Sequence, residues 1–97
     1  SIARDRIMEL SSILAATISD TFFVEEGSYA VNKTLSELEL RKKTGISIIA
    51  VIRRQRAKAN PPPDFMIEGG DILVMLGSHA EMETAVKLLS KGSNLLI

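Results

Sequence analysis

The chain has 97 residues, 45% of them hydrophobic, which is enough for one domain with a buried core and too few for two domains. Twelve basic and twelve acidic residues give zero formal net charge, so no overall excess favours nucleic acid or an acidic membrane surface. The absence of cysteine excludes disulfides, thiolate metal sites and cysteine nucleophiles, and His79 is the single histidine.

The first residues follow a helical pattern. Ile7, Leu10, Leu14 and Ile18 recur every three or four residues, which predicts an amphipathic helix over residues 3–15. We expect residues 1–20 to form this helix and a linker from a longer parent chain. No apolar run is long enough to span a bilayer and no signal sequence opens the chain, so we expect a soluble domain. A β-branched and aromatic run then predicts a strand over residues 21–25.

A helix and a strand are predicted next. Thr34 and Glu37 have the spacing of a capping box, which places a helix over residues 35–44 that ends at Gly45. The β-branched run at residues 46–53 predicts a central strand. Residues 56–59 predict an edge strand that folds back through Arg54-Gln55.

Asn60 and three successive prolines end this hairpin, because proline has no N–H to donate to a neighbouring strand. Phe65, Met66 and Ile67 are predicted to attach the loop to the core.

The last third of the chain predicts one more strand and one more helix. Residues 69–71 form a turn before a strand at residues 72–76, and Ser78 with Glu81 supplies a second capping box. The final helix carries Met82, Val86 and Leu89 on one face, ends at Gly92 and leaves residues 93–97 as a tail. The fold class is therefore α+β, a small mixed or antiparallel four-stranded sheet with helices packed on it, preceded by the N-terminal helix.

Residues 41–58 hold seven basic residues and no acidic ones. Arginine matches phosphate oxygens in pairs, so this segment is a candidate site for a phosphate-bearing ligand. The alternative is that residues 41–43 complement a helix dipole. The remaining basic residues would then lie on a solvent-exposed hairpin edge and protect it from aggregation. No metal-ligand spacing, nucleophile–base pair or phosphate-binding glycine loop accompanies it, so we expect neither a metal site nor an enzyme.

Five pieces of sequence, at residues 27–41, 44–46, 49–54, 60–61 and 67–77, occur in an order and spacing that together carry a family resemblance. The chain resembles the C-terminal subdomain of regulators of potassium conductance, the RCK_C or TrkA-C domain, over about residues 21–90. Asn32 stands where the family commonly has glycine, and asparagine is the next-best residue for a positive φ.

The resemblance implies a cytosolic regulatory domain, here residues 21–92, at the cytoplasmic face of the cell membrane. It would serve a potassium channel, potassium transporter or cation/proton antiporter, in the same or a partner chain. Separately, one tyrosine and three phenylalanines, all expected in the core, leave no aromatic platform for stacking bases, so we expect no nucleic-acid partner. Such domains pair with a second copy and bind a small ligand near the dimer interface, which in some members is cyclic di-AMP. The N-terminal helix and the apolar side of the helix at residues 35–44 are the expected dimer surfaces.

By the same resemblance, the ligand would be bound by eight residues. Arg41 would meet a phosphate, and leucines and prolines would form apolar walls for the bases. Ser47 departs from nucleotide-binding relatives, which often carry asparagine there. The alternative function is a ligand-free structural module that oligomerises a membrane transport protein. The predicted ligand-binding residues are Leu35, Leu40, Arg41, Lys42, Ser47, Asn60, Pro61 and Pro63.

Overall fold

A computed structural model describes residues 18–92 of the chain, so the predicted helix at residues 3–15 and the tail at residues 93–97 lie outside the described residues. Four strands form one antiparallel sheet in the order β1-β4-β2-β3, with short helices packed against it. The predicted α+β class is confirmed. The elements are β1 Ile18–Phe23, α1 Leu35–Leu38, α2 Leu40–Thr44, β2 Ser47–Arg53, β3 Arg56–Ala59, β4 Ile72–Gly77 and α3 His79–Lys91.

The first strand begins earlier than predicted. β1 spans Ile18–Phe23 rather than residues 21–25, and its register pairs Ile18 with Gly77. The helical spacing of Ile18 with Leu14 placed it with the preceding segment, although its side chain packs against the core of the sheet domain. Val24 follows the strand, is buried, and donates its backbone N–H to the Asp71 carbonyl at 2.8 Å.

The helix predicted over residues 35–44 is broken in two at Glu39. Its backbone is left-handed, with φ 47° and ψ 42°, so α1 ends at Leu38 and α2 begins at Leu40. Leu38 and Leu40 are both buried. Residues two apart point to nearly opposite sides of a continuous helix, so the left-handed residue between these leucines allows both to enter the core.

The predicted hairpin, caps and turns are confirmed. Arg54 and Gln55 both have positive φ, as a two-residue turn between twisted strands requires. Thr34 and Ser78 each accept a hydrogen bond from the N–H three residues on, with the reciprocal glutamate contact present. Asn32 has φ 66°, so the turn at that position is retained without glycine.

The core lies between one face of the sheet and the helices. Val51, Leu73 and Met75 bury their side chains on this face, and α3 covers it with Met82, Ala85, Leu88 and Leu89. Val86 is exposed, so its predicted place on the apolar side of α3 is wrong; Ala85 and Leu88 pack there instead.

Two of the three residues predicted to attach the loop contact the core. Ile67 is buried and Phe65 packs against the core, whereas Met66 is exposed, so the prediction for Met66 is wrong. The reason is the alternation of an extended segment: Met66 forms an isolated bridge with Thr34 between its two inward-facing neighbours.

Candidate functional site

An open cleft of about 350 Å³ lies where α1, α2, the start of β2 and the proline loop meet. We call residues 60–66 the proline loop. Of the eight residues predicted to bind ligand, six line this cleft. Its walls are mainly apolar, and its polar lining comes from one guanidinium and two hydroxyls. The lining residues are Leu35, Ser36, Leu40, Arg41, Ile46, Ser47, Ile48, Pro61 and Pro63.

Lys42 and Asn60 do not line the cleft. The Lys42 side chain is 83% exposed, and its Nζ lies 3.7 Å from a Glu39 carboxylate oxygen. Asn60 is exposed and has φ 49°, and its N–H donates to the Ile49 carbonyl at 2.9 Å. Asn60 therefore shapes the exit from β3, while Lys42 points to solvent.

Three lining residues were missed by the sequence reasoning. Ser36 adjoins the capped start of α1, and its N–H donates to the Pro63 carbonyl at 2.8 Å. Ile46 and Ile48 flank Ser47, and the register of β2 shifts just beyond them, between Ile48 and Ala50. The apolar residues beside Ser47 were available as a signal, whereas the register shift has no sequence signature.

The basic segment at residues 41–58 does not converge on one site. Arg41 reaches the cleft, whereas Arg54, Arg56 and Lys58 line a separate groove of about 540 Å³ along the β2–β3 hairpin. Lys58 pairs with Val51, and Arg56 and Lys58 alternate with Ala57 along β3, so both basic side chains lie on the face of the sheet that lines this groove. The cleft thus carries one guanidinium of the seven basic groups.

Arg53, also in this segment, is neutralised by two acidic residues. Its Nε and one terminal nitrogen donate to Asp71 at 2.8 and 2.7 Å, and the other terminal nitrogen lies 2.9 Å from Glu68. The same side chain donates to the Met66 carbonyl at 2.9 Å and lies 4.8 Å from the Phe65 ring centroid. This cluster joins β2, the turn before β4 and the end of the proline loop.

The cluster holds both charges in place. The Asp71 side chain is 1% exposed, and this burial by itself raises its pKa. Hydrogen bonds from Arg53 and from the Glu68 N–H, together with the positive charges of Arg53 and Arg54, lower it. The net result is a pKa of Asp71 below its ordinary value. Hydrogen bonding to Asp71 raises the pKa of Arg53 against the opposing effect of burial.

Metal-ligating clusters and membrane-spanning helices were sought between residues 18 and 92. No group of three histidine or acidic side chains in this range is placed to hold a metal ion. No helix in the described part of the chain has the length and apolar character needed to cross a membrane.

The fold is a small α+β domain with an open cleft, and comparison with known families identifies which one. The TrkA-C domain family matches residues 21–90. The chain therefore belongs to the TrkA-C (RCK_C) family, as the sequence resemblance predicted.

Two relatives place the family in ion transport. The chain is 33% identical over 70 residues to the K(+)/H(+) antiporter subunit KhtT of Bacillus subtilis, covering 71% of this chain and 42% of KhtT. It is 29% identical over 70 residues to the probable potassium channel protein 2 of Methanocaldococcus jannaschii, covering 72% of this chain and 20% of that protein. The chain thus spans less than half the length of either relative.

Solved structures show the same fold. The RCK_C domain dimer of Streptococcus agalactiae BusR in complex with cyclic di-AMP superposes with a TM-score of 0.63 at 27% identity, covering 72% of this chain and 96% of that one. The RCK C domain of the potassium transport protein KtrA, also in complex with cyclic di-AMP, gives 0.69 at 23% identity over 87% and 96% of the two chains.

BusR is also similar in a complex with its busAB-promoter DNA, at 20% identity, where this chain covers 49% of the BusR chain. That likeness shows the fold, and our expectation of no nucleic-acid partner stays a prediction.

Proposed function

We propose that this RCK_C domain binds a small anionic nucleotide, cyclic di-AMP or a close analogue, in the cleft between α1 and the proline loop. It would do so as a homodimer on the cytoplasmic face of the cell membrane and bias a potassium channel, potassium transporter or cation/proton antiporter. The observation that carries the proposal is the cleft itself, which combines apolar walls with the Arg41 guanidinium.

The lining suits the parts of such a ligand. Leucines at positions 35 and 40 face prolines 61 and 63 across the cleft, and apolar walls of this kind accept the faces of a nucleobase. No carboxylate of the described residues lies within 4.0 Å of Arg41, so its guanidinium is available for a phosphate. Ser47 adds a hydroxyl that both donates and accepts.

The size of the cleft favours a dimeric site. A volume of about 350 Å³ lies at the lower end of the range for drug-sized ligands. Cyclic di-AMP has two identical halves, each with one base and one phosphate, so two copies related by a twofold axis would each accommodate one half. The BusR domain, which is a dimer in complex with cyclic di-AMP, supports this arrangement.

Regulation would follow from linkage. A ligand that spans two copies binds one arrangement of the dimer more tightly than another, and it shifts their populations by that difference in affinity. The attached transport protein would respond to the favoured arrangement.

Titration calorimetry and thermal unfolding with cyclic di-AMP test the proposal. The wild-type chain should bind and its unfolding midpoint should rise, because the ligand binds only the native state. Arg41→Ala should weaken binding by about tenfold or more, since a charged hydrogen bond contributes about 1.5–3 kcal/mol. Lys42→Ala is the matched control and should bind like wild type. The proposal is wrong if millimolar cyclic di-AMP leaves the wild-type midpoint unchanged.

The second candidate is a ligand-free oligomerisation module. It is favoured by the sheet face opposite the helices, where Phe23, Ile49 and Leu76 are partly exposed. Sedimentation velocity with and without cyclic di-AMP separates the two candidates. A stable dimer whose mass and unfolding midpoint are unchanged by cyclic di-AMP would favour the structural module. An unfolding midpoint that rises with cyclic di-AMP would favour the ligand-sensing domain.

A further inference from the structure

The proline loop forms one wall of the cleft, yet it has few hydrogen-bond donors of its own. Pro61, Pro62 and Pro63 have no N–H, so the backbone of this stretch can only accept hydrogen bonds. The Phe65 N–H donates to the Pro62 carbonyl at 3.0 Å within the loop, and the carbonyls of Pro63, Phe65 and Met66 are held by donors from other parts of the fold.

Three donors from outside the loop reach it. The N–H of Ser36 donates to the Pro63 carbonyl at 2.8 Å, and the N–H of Leu35 donates to the Phe65 carbonyl at 3.1 Å. Both come from the start of α1, the opposite wall of the cleft. The third donor is the Arg53 guanidinium, which reaches the Met66 carbonyl at 2.9 Å from the sheet.

Arg53 is the only one of these donors, among the described residues, that belongs to a side chain. It is also fixed in place, because Asp71 accepts two of its hydrogen bonds, a Glu68 carboxylate oxygen lies 2.9 Å from its other terminal nitrogen and the Phe65 ring lies against it. A planar guanidinium held at four points has one orientation, so the carbonyl that it binds is held as well.

We propose that Arg53 is a positioning residue for the cleft. It lines none of the cleft, but it fixes the end of the proline loop and so sets the separation between the prolines and the leucine wall of α1. A wall that is ordered before the ligand arrives loses less conformational freedom on binding. This inference rests on the proposed function for its effect on affinity, while the anchoring of the loop can be measured without ligand.

The affinity experiment compares two variants by calorimetry with cyclic di-AMP, at a temperature where both are folded. Arg53→Lys keeps the positive charge but loses the fork, and its dissociation constant should rise about tenfold if the wall is then ordered in about one tenth of the free molecules. Leu88→Ala removes a buried side chain of α3, far along the chain from the loop. It should lower stability and leave the dissociation constant unchanged.

Amide hydrogen exchange supplies the measurement that needs no ligand. The amides of Leu35 and Ser36 donate to the loop, so Arg53→Lys should speed their exchange relative to that of the buried Leu73 in β4. Leu88→Ala should speed exchange through global opening without singling out these two amides. Phe65→Leu keeps Arg53 but removes the ring, and it should also speed exchange at the amides of Leu35 and Ser36. This variant replaces Arg53→Lys in the test if Arg53→Lys does not fold.

The outcomes separate the two ideas. If the wild type does not bind cyclic di-AMP but Arg53→Lys selectively loosens the amides of Leu35 and Ser36, the proposed function fails and the anchoring role stands. If Arg53→Lys binds with the wild-type dissociation constant and its exchange pattern matches that of Leu88→Ala, the positioning role is overturned.

Discussion

The carboxylate of Glu81 fills the space beside Gly45 that a Cβ atom would occupy. One of its oxygens accepts the N–H of Ser78 at 2.8 Å, so the side chain that caps the start of α3 also packs against the residue that ends α2. The two helices are thereby joined at one point above the sheet.

This contact makes Gly45 more sensitive to substitution than Gly27 and Gly70, which also have positive φ but have nothing within 4 Å of a Cβ position. Gly45→Ala should lower the free energy of unfolding by about 2–3 kcal/mol, because alanine disfavours the left-handed backbone and displaces the capping carboxylate. Gly27 is the control, with φ 89° and nothing near a Cβ position, so Gly27→Ala should cost only about 1 kcal/mol. Equal losses in urea denaturation would show that the Glu81 contact contributes nothing.

The pair of Asp71 and Arg53 should make stability depend on acid pH. The folded-state pKa of Asp71 lies below its ordinary value, so the unfolded chain binds more protons in the window between the two values. The contribution of this pair is therefore fully present above the ordinary aspartate pKa of about 3.9 and falls as pH drops through the lower folded-state pKa.

Asp71→Asn tests this prediction, because asparagine does not ionise. At neutral pH the variant should be less stable by about 3 kcal/mol, since it leaves Arg53 with one acidic partner in place of two. The difference from wild type should shrink below about pH 4. Unfolding free energies measured between pH 2.5 and 7 that run parallel for the two proteins would contradict it.

Glu39 offers a way to stabilise the chain. Its left-handed backbone, φ 47°, is unfavourable for a residue with a side chain, so Glu39→Gly should raise the free energy of unfolding by up to about 1 kcal/mol. Glu39→Ala removes the same exposed contact with Lys42 but retains the unfavourable φ, and it should be neutral or slightly destabilising. A stabilising alanine variant would point to charge rather than backbone as the cause.

Two leucines of β4 report on the two faces of the sheet. Leu73 is fully buried, so Leu73→Ala should cost about 2–5 kcal/mol. Leu76 is 38% exposed on the opposite face, so Leu76→Ala should cost no more than about 1 kcal/mol in the monomer. A loss at Leu76 as large as that at Leu73, measured by urea denaturation at low protein concentration, would mean that this face is covered in solution.

Sequence reasoning predicts best the features that depend on neighbours in the chain. The capping boxes at Thr34 and Ser78 and the hairpin turn at Arg54 are local, and all are found where they were predicted. The break at Glu39 was missed, because it arises from the need to bury Leu38 and Leu40 in the same core, which is a tertiary constraint that overrides the local helix signal.

The types of residue at the candidate site could be predicted from the sequence, whereas the set of residues that line the cleft could be predicted only in part. The family resemblance brought together residues that are far apart in the chain, such as Arg41 and Pro61, and the cleft contains both. Lys42 was predicted from the same resemblance, but consecutive helical residues point about 100° apart, and of the two only Arg41 lines the cleft. The role of Arg53 depends on long-range contacts with Asp71 and Met66, for which no spacing in the sequence gives a signal.

The strand order β1-β4-β2-β3 also has a kinetic consequence. β2 and β3 are joined by a two-residue turn, so their hairpin closes the shortest loop in the sheet, whereas β1 meets β4 from the other end of the described chain. Closing a longer loop loses more chain entropy before any contact compensates for it, so we expect the hairpin to fold first and β1 to add last. The strand that joins the sheet last is the one connected directly to the preceding part of the chain.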